Sequence, residues 1–198
     1  MLYDADIRDG LCLYLEKQYE KVRFFDELSM GRSRADLVMV TENDLCGIEI
    51  KSDADSYARL PRQIKDYNKY FDRNIIVIGS SHAAHAADHV PEDWGIIVVN
   101  KEGGGIDLYE LRPPKPSGKP KLKRQLSLLW RRELSHIQEK NGLYKYRAKS
   151  RPFIEKYIFE SVEVEKLKSD LIEELFERDY SLPIRKPAAN PFHGTRKQ

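Results

Sequence analysis

Asp36, Glu49 and Lys51 are the residues whose types and spacing could do chemistry. Ala35–Val40 and Leu45–Lys51 read as strands around the turn Thr41-Glu42-Asn43-Asp44. Side chains alternate along a strand, so Glu49 and Lys51 point to one face and Ile48 and Ile50 to the other. A two-residue loop at Glu42-Asn43 opposes Asp36 directly to Glu49. A loop at Asn43-Asp44 opposes it to Lys51, with Glu49 on the diagonal. Both registers put the three groups on one face, whereas a three-residue loop sets Asp36 against Ile50 and separates them. Two facing carboxylates repel unless a cation or proton lies between them. Hard oxygens so arranged suit Mg²⁺, with Mn²⁺ as its substitute. Such a metal lowers the pKa of a bound water and stabilises charge developing on phosphorus. Lys51 could then orient that water or neutralise a phosphate. The plain alternative is a solvated strand face carrying a Glu–Lys pair.

The elements that must position these groups are legible from periodicity. Ile7, Leu11, Tyr14 and Leu15 give Asp4–Tyr19 the spacing of an amphipathic helix. Val22-Arg23-Phe24-Phe25 reads as a strand, joined to the next through a turn containing Gly31. Pro61 suits the first turn of a helix whose stripe is Ile64, Tyr67 and Phe71. Ile75–Ile78 and Ile96–Val99 are strands, and the Ala-rich stretch Ser81–Val90 between them reads as helical. The order helix, three strands, helix, strand, helix, strand predicts an α/β domain over 1–111, with a mixed sheet flanked by helices. Pro113, Pro114, Pro116, Gly118 and Pro120 make 112–120 a stiff linker. A basic helical appendage is expected over 121–180, with one helix through Leu126, Leu129, Trp130, Leu134 and Ile137 and another over Val162–Arg178. Residues 181–198 read as a disordered tail.

With those elements in place, Ala35-Asp36, Gly47-Ile48-Glu49-Ile50-Lys51 and Gln63-x-x-x-Tyr67 resemble the PD-(D/E)XK nuclease superfamily in its RecB-like branch. The likeness runs through residues 1–100 in element order. The wider string Gly31-Arg32-x-Arg34-x-Asp36, Glu49 to Asp55 and Arg59-Leu60-Pro61-Arg62-Gln63 is similar to a small bacterial and phage group within it. The resemblance implies a restriction-endonuclease-like fold and a Mg²⁺-dependent deoxyribonuclease. It implies Asp36 and Glu49 as metal ligands with the Ile50 carbonyl, Lys51 as the catalytic lysine, and Gln63 and Tyr67 lining the site. Gln63 and Tyr67 read alternatively as a buried polar pair capping the sheet edge. An earlier acidic residue also belongs to the superfamily's site; Glu27 fits best, with Asp26 and Glu16 as alternatives. Ala35 stands where the motif's name has proline. Arg32 and Arg34 flank the hairpin entry as phosphate donors, or Arg34 pairs with Asp36 or Glu27. Asp53 and Asp55 read as turn and helix-start residues.

The formal net charge of +2 is a cancellation: residues 1–111 carry −8, 112–151 carry +11 and 152–198 carry −1. A basic block after an acidic domain suggests a polyanion partner, here DNA. Lys121, Lys123, Arg124, Arg131 and Arg132 are its candidate phosphate contacts. The helix, Gly142 turn and helix beyond Leu134 are faintly similar to SAP-type DNA-binding helices. A solvated, packed appendage is the competing reading, as is a DNA-binding or assembly module that keeps the fold without cutting. His82, His85 and His89 have helical spacing but no Cys or Glu companions, which favours an exposed face over Zn²⁺. Gly103-Gly104-Gly105 precedes no helix and reads as a hairpin turn rather than a phosphate loop. The longest apolar runs are too short to span a bilayer, and the acidic start at Asp4 and Asp6 shows no signal peptide. A cytoplasmic chain with two reduced cysteines, Cys12 and Cys46, is expected. No residue pattern indicates a homo-oligomer.

Overall fold

The computed structural model describes residues 4–52, 55–102, 105–118 and 120–180. A six-stranded sheet has its strands in chain order: β1 (Arg23–Met30), β2 (Ser33–Val40), β3 (Leu45–Lys51), β4 (Arg73–Gly79), β5 (Gly95–Glu102) and β6 (Gly105–Arg112). The first three form an antiparallel meander; β3–β4 and β4–β5 are parallel; β6 returns antiparallel. Tight turns join β1 to β2 and β2 to β3, while α2 (Leu60–Tyr70) and the short α3 (Ala86–His89) lie in the parallel crossovers.

One sheet face is covered by α1 (Asp4–Glu16), whose Ile7, Leu11 and Leu15 pack on Leu37, Met39, Ile48, Ile50, Ile75, Val77, Ile97 and Val99. The central strands are buried on both faces, which is why Ile75–Ile78 and Ile96–Val99 read as unbroken apolar runs. The opposite face carries α2 and a layer of four helices: α4 (Leu122–Gln125), α5 (Arg131–Lys140), α6 (Arg151–Ser161) and α7 (Val164–Phe176). These helices do not enclose a core of their own. Leu126, Leu134, Ile137, Ile154, Ile158, Leu167 and Leu171 join Phe25, Val38, Tyr67 and Ile78 in one apolar cluster. The proline-rich stretch before them is strapped down, with Ser117 N–H donating to Asp72 O at 2.7 Å and Arg73 Nη1 to Pro114 O at 2.9 Å.

Three features differ from the sequence reading. β6 is a sixth strand; its edge position leaves most of its residues exposed, so only Ile106 and Leu108 pack on the core while Tyr109 and Leu111 face solvent. The helix expected through Leu126–Ile137 is two pieces broken at Leu129 and Trp130, both in extended backbone. Trp130 caps α5, its N–H donating to the Glu133 carboxylate. The stretch 81–90 holds a 3₁₀ turn and the four-residue α3 rather than a full helix. The tail, Asp53 and the Gly103-Gly104 turn lie outside the described residues. Among the described residues no helix is long and apolar enough to cross a membrane. Cys46 is fully buried and Cys12 half-buried; burial pushes the Cys12 thiol up to about 11.

Two glycines set the close contacts around the β1–β2–β3 meander. Gly31 opens the two-residue β1–β2 turn at φ +62°, a conformation that side chains strain. Gly47 lets α2 lie directly on β3. A Cβ there would sit 2.1 Å from Phe71 Cδ2 and 2.7 Å from Tyr67 Cδ1. Gly47→Ala is therefore expected to destabilise the chain by about 1–3 kcal/mol through overpacking. Urea unfolding would show this as a lowered midpoint at constant m-value; an unmoved midpoint would mean that α2 shifts freely.

Candidate active-site cleft

The cleft opens where the β2–β3 ladder ends. Pairing runs from Val40↔Leu45 to Leu37↔Ile48, the register of a two-residue Glu42-Asn43 loop, and the next position opposes Asp36 to Glu49. There the ladder stops, and the Asp36 carboxylate replaces it: Oδ2 accepts the Ile50 N–H at 2.9 Å. On the other side, the β1–β2 ladder skips the Glu27/Asp36 pair between Asp26↔Leu37 and Leu28↔Ala35. Glu27 has φ +53°, a left-handed conformation rare for residues with a side chain. Alternation slips by one step at this pair, because Phe25, Leu28, Met30, Ala35 and Val38 all contribute to the same cluster. The Asp36 peptide groups are turned across the sheet as a result. Its carbonyl accepts Arg8 Nη1 from α1 at 2.8 Å, while its N–H faces the Tyr67 hydroxyl from α2 at 3.4 Å.

Glu49 and Lys51 lie on the α2 side of β3 and are 1% and 7% exposed. A carboxylate so buried is costly unless every oxygen is matched. Lys51 Nζ and Gln63 Nε2 both donate to Glu49 Oε1, and the Tyr67 hydroxyl lies 2.8 Å from Oε2. Gln63 and Tyr67, one turn apart on α2, therefore clamp the carboxylate from above. The Tyr67 hydroxyl is also 3.1 Å from Ile48 O, but it has one hydrogen, and the charged acceptor is the nearer. Burial first, then the charges of Glu49 and Asp36, push the Tyr67 phenol well above its ordinary value, so it stays a donor.

A cleft of ≈ 330 Å³ is lined by Asp36, Glu49, Ile50, Lys51 and Gln63, with Arg32, Arg34, Arg59 and Arg62 among the residues at its walls. Arg59 and Arg62, which enter the sequence reading only as part of the wider string and with no role there, flank the start of α2 four residues and one residue before Gln63; their signal was a basic pair beside a site residue. Arg32, Arg59 and Arg62 are exposed and make no side-chain hydrogen bond or ion pair among the described residues. Arg34 instead pairs with Glu27 at 3.0 Å. Glu27 is the acceptor of that exposed ion pair, and among the described residues no group of three or more His, Cys, Asp or Glu could hold a metal ion. The oxygens the cleft could offer a cation are those of Asp36, Glu49 and the Ile50 carbonyl. Asp55 folds back on Ser52, accepting its N–H at 2.9 Å and its hydroxyl at 2.7 Å.

The basic block divides in two. Lys121, Lys123 and Arg124 are exposed around α4. Arg131 and Arg132 are half-buried and committed to partners within the chain. Arg131 donates to the carbonyls of Tyr146, Arg147 and Lys149, while Arg132 lies 4.7 Å over the Trp130 ring and donates to Asp179 O. The histidines assemble no metal site: Tyr57 stacks on His89 at 4.3 Å and meets His82 edge-on at 5.3 Å.

Fold and cleft together define a mixed α/β protein with a buried glutamate–lysine pair, a facing aspartate and an arginine-lined mouth. Residues 5–182 match the family described as Bacteriophage P4 protein cII, and the chain belongs to that family. No curated protein matches it. Among solved structures, Pyrococcus furiosus SfsA in complex with Ca²⁺ is similar over 55% of this chain and 59% of its own, at 18% identity and a TM-score of 0.33.

The Glu49–Lys51 pair has a measurable signature. Lys51→Met strands a buried carboxylate and is expected to cost about 3–5 kcal/mol. Adding Glu49→Gln should return part of that loss, giving a double-mutant coupling well above the roughly 0.5 kcal/mol of independent sites. Urea denaturation of the four proteins measures it; additive losses would show that the pair is not coupled.

Proposed function

We propose that this protein is a metal-dependent nuclease that hydrolyses DNA phosphodiester bonds, of the PD-(D/E)XK kind with a restriction-endonuclease-like fold. The observation that carries the reading is the clamped Glu49, flanked by Lys51, Gln63 and Tyr67, set across a split ladder from Asp36. The donor set fits a hard divalent cation such as Mg²⁺ or Mn²⁺: two carboxylates and the Ile50 carbonyl are all oxygen, few enough for an ion that keeps waters. Gln63 Oε1 is buried without a hydrogen-bond partner, an acceptor left over beside the Glu49 carboxylate for a bound water. When bound, the cation supplies an acidified water and offsets charge developing on phosphorus.

The chain's own residues do the rest of the work. Tyr67 and Gln63 hold the Glu49 carboxyl in one orientation beside Lys51. The Lys51 ammonium, at the cleft wall, orients the attacking water and offsets charge on the phosphate. Arg32, Arg59 and Arg62 present guanidinium forks to flanking phosphates, a geometry lysine does not reproduce. Lys121, Lys123 and Arg124 add sequence-independent attraction along the DNA backbone.

A second reading, a DNA-binding module that does not cut, is favoured by one observation: both Glu49 oxygens already have protein donors. Nicking of supercoiled plasmid and of single-stranded DNA separates the two. Wild type is expected to cut with Mg²⁺ or Mn²⁺ and to stop in EDTA, and Asp36→Ala to cut about 100-fold more slowly or worse. Binding without cutting under either metal, or equal cutting by both proteins, overturns the nuclease reading.

A further inference from the structure

The connection between α5 and α6 carries a second surface that the cleft does not use. Its sequence alternates ring and cation, Tyr144-Lys145-Tyr146-Arg147, and continues to Lys149. Between positions 140 and 151 there are five cations and no carboxylate. Tyr146 is the hub of an aromatic cluster, with ring centroids 4.8 Å from Tyr144, 5.1 Å from Phe153 and 5.1 Å from Tyr157. Tyr146 and Tyr157 are half-buried and account for the packing of α6 on this connection. Tyr144 and Phe153 do not: they are 69% and 39% exposed.

The backbone beneath them is pinned. The buried Gln138 amide donates to Tyr144 O at 2.7 Å, and the Arg131 guanidinium gathers the carbonyls of Tyr146, Arg147 and Lys149 at 2.9, 3.3 and 2.9 Å. An exposed ring on a rigid backbone loses little entropy when something flat stacks on it. Arg147 makes no side-chain ion pair among the described residues, and Lys149 sits 5.3 Å over the Phe153 ring. Lys145 holds Glu139 through an exposed pair of the kind that contributes little and gives way to competing anions. A recess of ≈ 610 Å³ is bounded by Tyr144, Lys145, Tyr146, Arg147, Ala148 and Lys149.

We infer that this surface is a binding platform for single-stranded DNA, with Tyr144 stacking on a base and Arg147 and Lys149 contacting the phosphates either side. Cations select a polyanion, and exposed rings select one whose bases are unstacked and accessible. A duplex hides its base faces and engages only the cations. This inference does not rest on the nuclease reading, and its test is run in EDTA on the full chain so that cutting plays no part.

Fluorescence anisotropy with a labelled dT20 strand, a 20-base-pair duplex and an rU20 strand reads it directly. Tyr144→Ala should weaken dT20 binding roughly 5- to 150-fold and leave duplex binding within about twofold. Tyr144→Phe should restore the wild-type value, since stacking needs the ring and not the hydroxyl. Arg147→Ala/Lys149→Ala should weaken dT20 and duplex alike and reduce the salt dependence by about one to two ions. Unchanged dT20 binding by Tyr144→Ala overturns the inference, as does an equal loss on duplex. Tighter binding of rU20 than dT20 would overturn the assignment to DNA.

Discussion

Burial of one carboxylate organises this molecule. Glu49 sits in β3, one of the two central strands of a six-stranded sheet, with almost no contact with water, and such a charge persists only where each oxygen is answered. Lys51 on the same strand supplies the countercharge, and Gln63 and Tyr67 supply neutral donors from α2. Those donors reach only because α2 lies hard against β3, and α2 can do so only because residue 47 has no side chain. The charge, the helix seat and the glycine are therefore one constraint.

The same demand reshapes the neighbouring strands. Asp36 leaves its place in the ladder and offers its carboxylate to Ile50, while its peptide groups turn toward Arg8 on one face and Tyr67 on the other. Glu27 takes up positive φ opposite it. Local strain of this kind survives only when surrounding structure holds it in place. Here the hairpin tip is tied to α2 by Ser33 and Asp66 at 2.6 Å, and its base to α1 by Arg8 and Asp26 at 3.0 Å.

The C-terminal helices brace this arrangement from outside. Arg178 is buried between the Phe25 and Trp130 rings and forms a two-point pair with Glu133 at 2.7 and 2.8 Å, joining the end of α7 to β1 and α5. Asp72 receives the Leu45 N–H, Gln125 and Lys168, linking β3 to α4 and α7. Charged residues that composition alone would assign to a solvated surface are partly the fasteners of a shared core: Arg131, Arg132 and Arg151, three cations of the basic stretch 112–151, donate to backbone carbonyls of distant elements.

How much was legible follows from which periodicities survive folding. The strand alternation at Gly47–Lys51, the one-turn spacing of Gln63 and Tyr67 and the order of elements are properties of local geometry, so the sequence by itself determined that Glu49 and Lys51 share a face and that Gln63 and Tyr67 lie together on one helix. Which hairpin register faces Asp36 to Glu49 was left open, and the approach of Gln63 and Tyr67 to Glu49 was implied only by the family resemblance. β6 was faint because an edge strand buries too little to show a pattern, and the break at Leu129-Trp130 was hidden because apolar spacing does not report backbone dihedrals. Only the tertiary structure decided that alternation slips at Glu27 and Asp36, that Arg34 is spent on Glu27, that Arg59 and Arg62 face the cleft, and that Arg131 faces inward. The slip and the seat of Arg131 depend on which donors and acceptors are left to be matched between distant elements. The places of Arg34, Arg59 and Arg62 depend on how the start of α2 and the β1–β2 hairpin come to lie beside each other, a juxtaposition that exists only once the chain has closed.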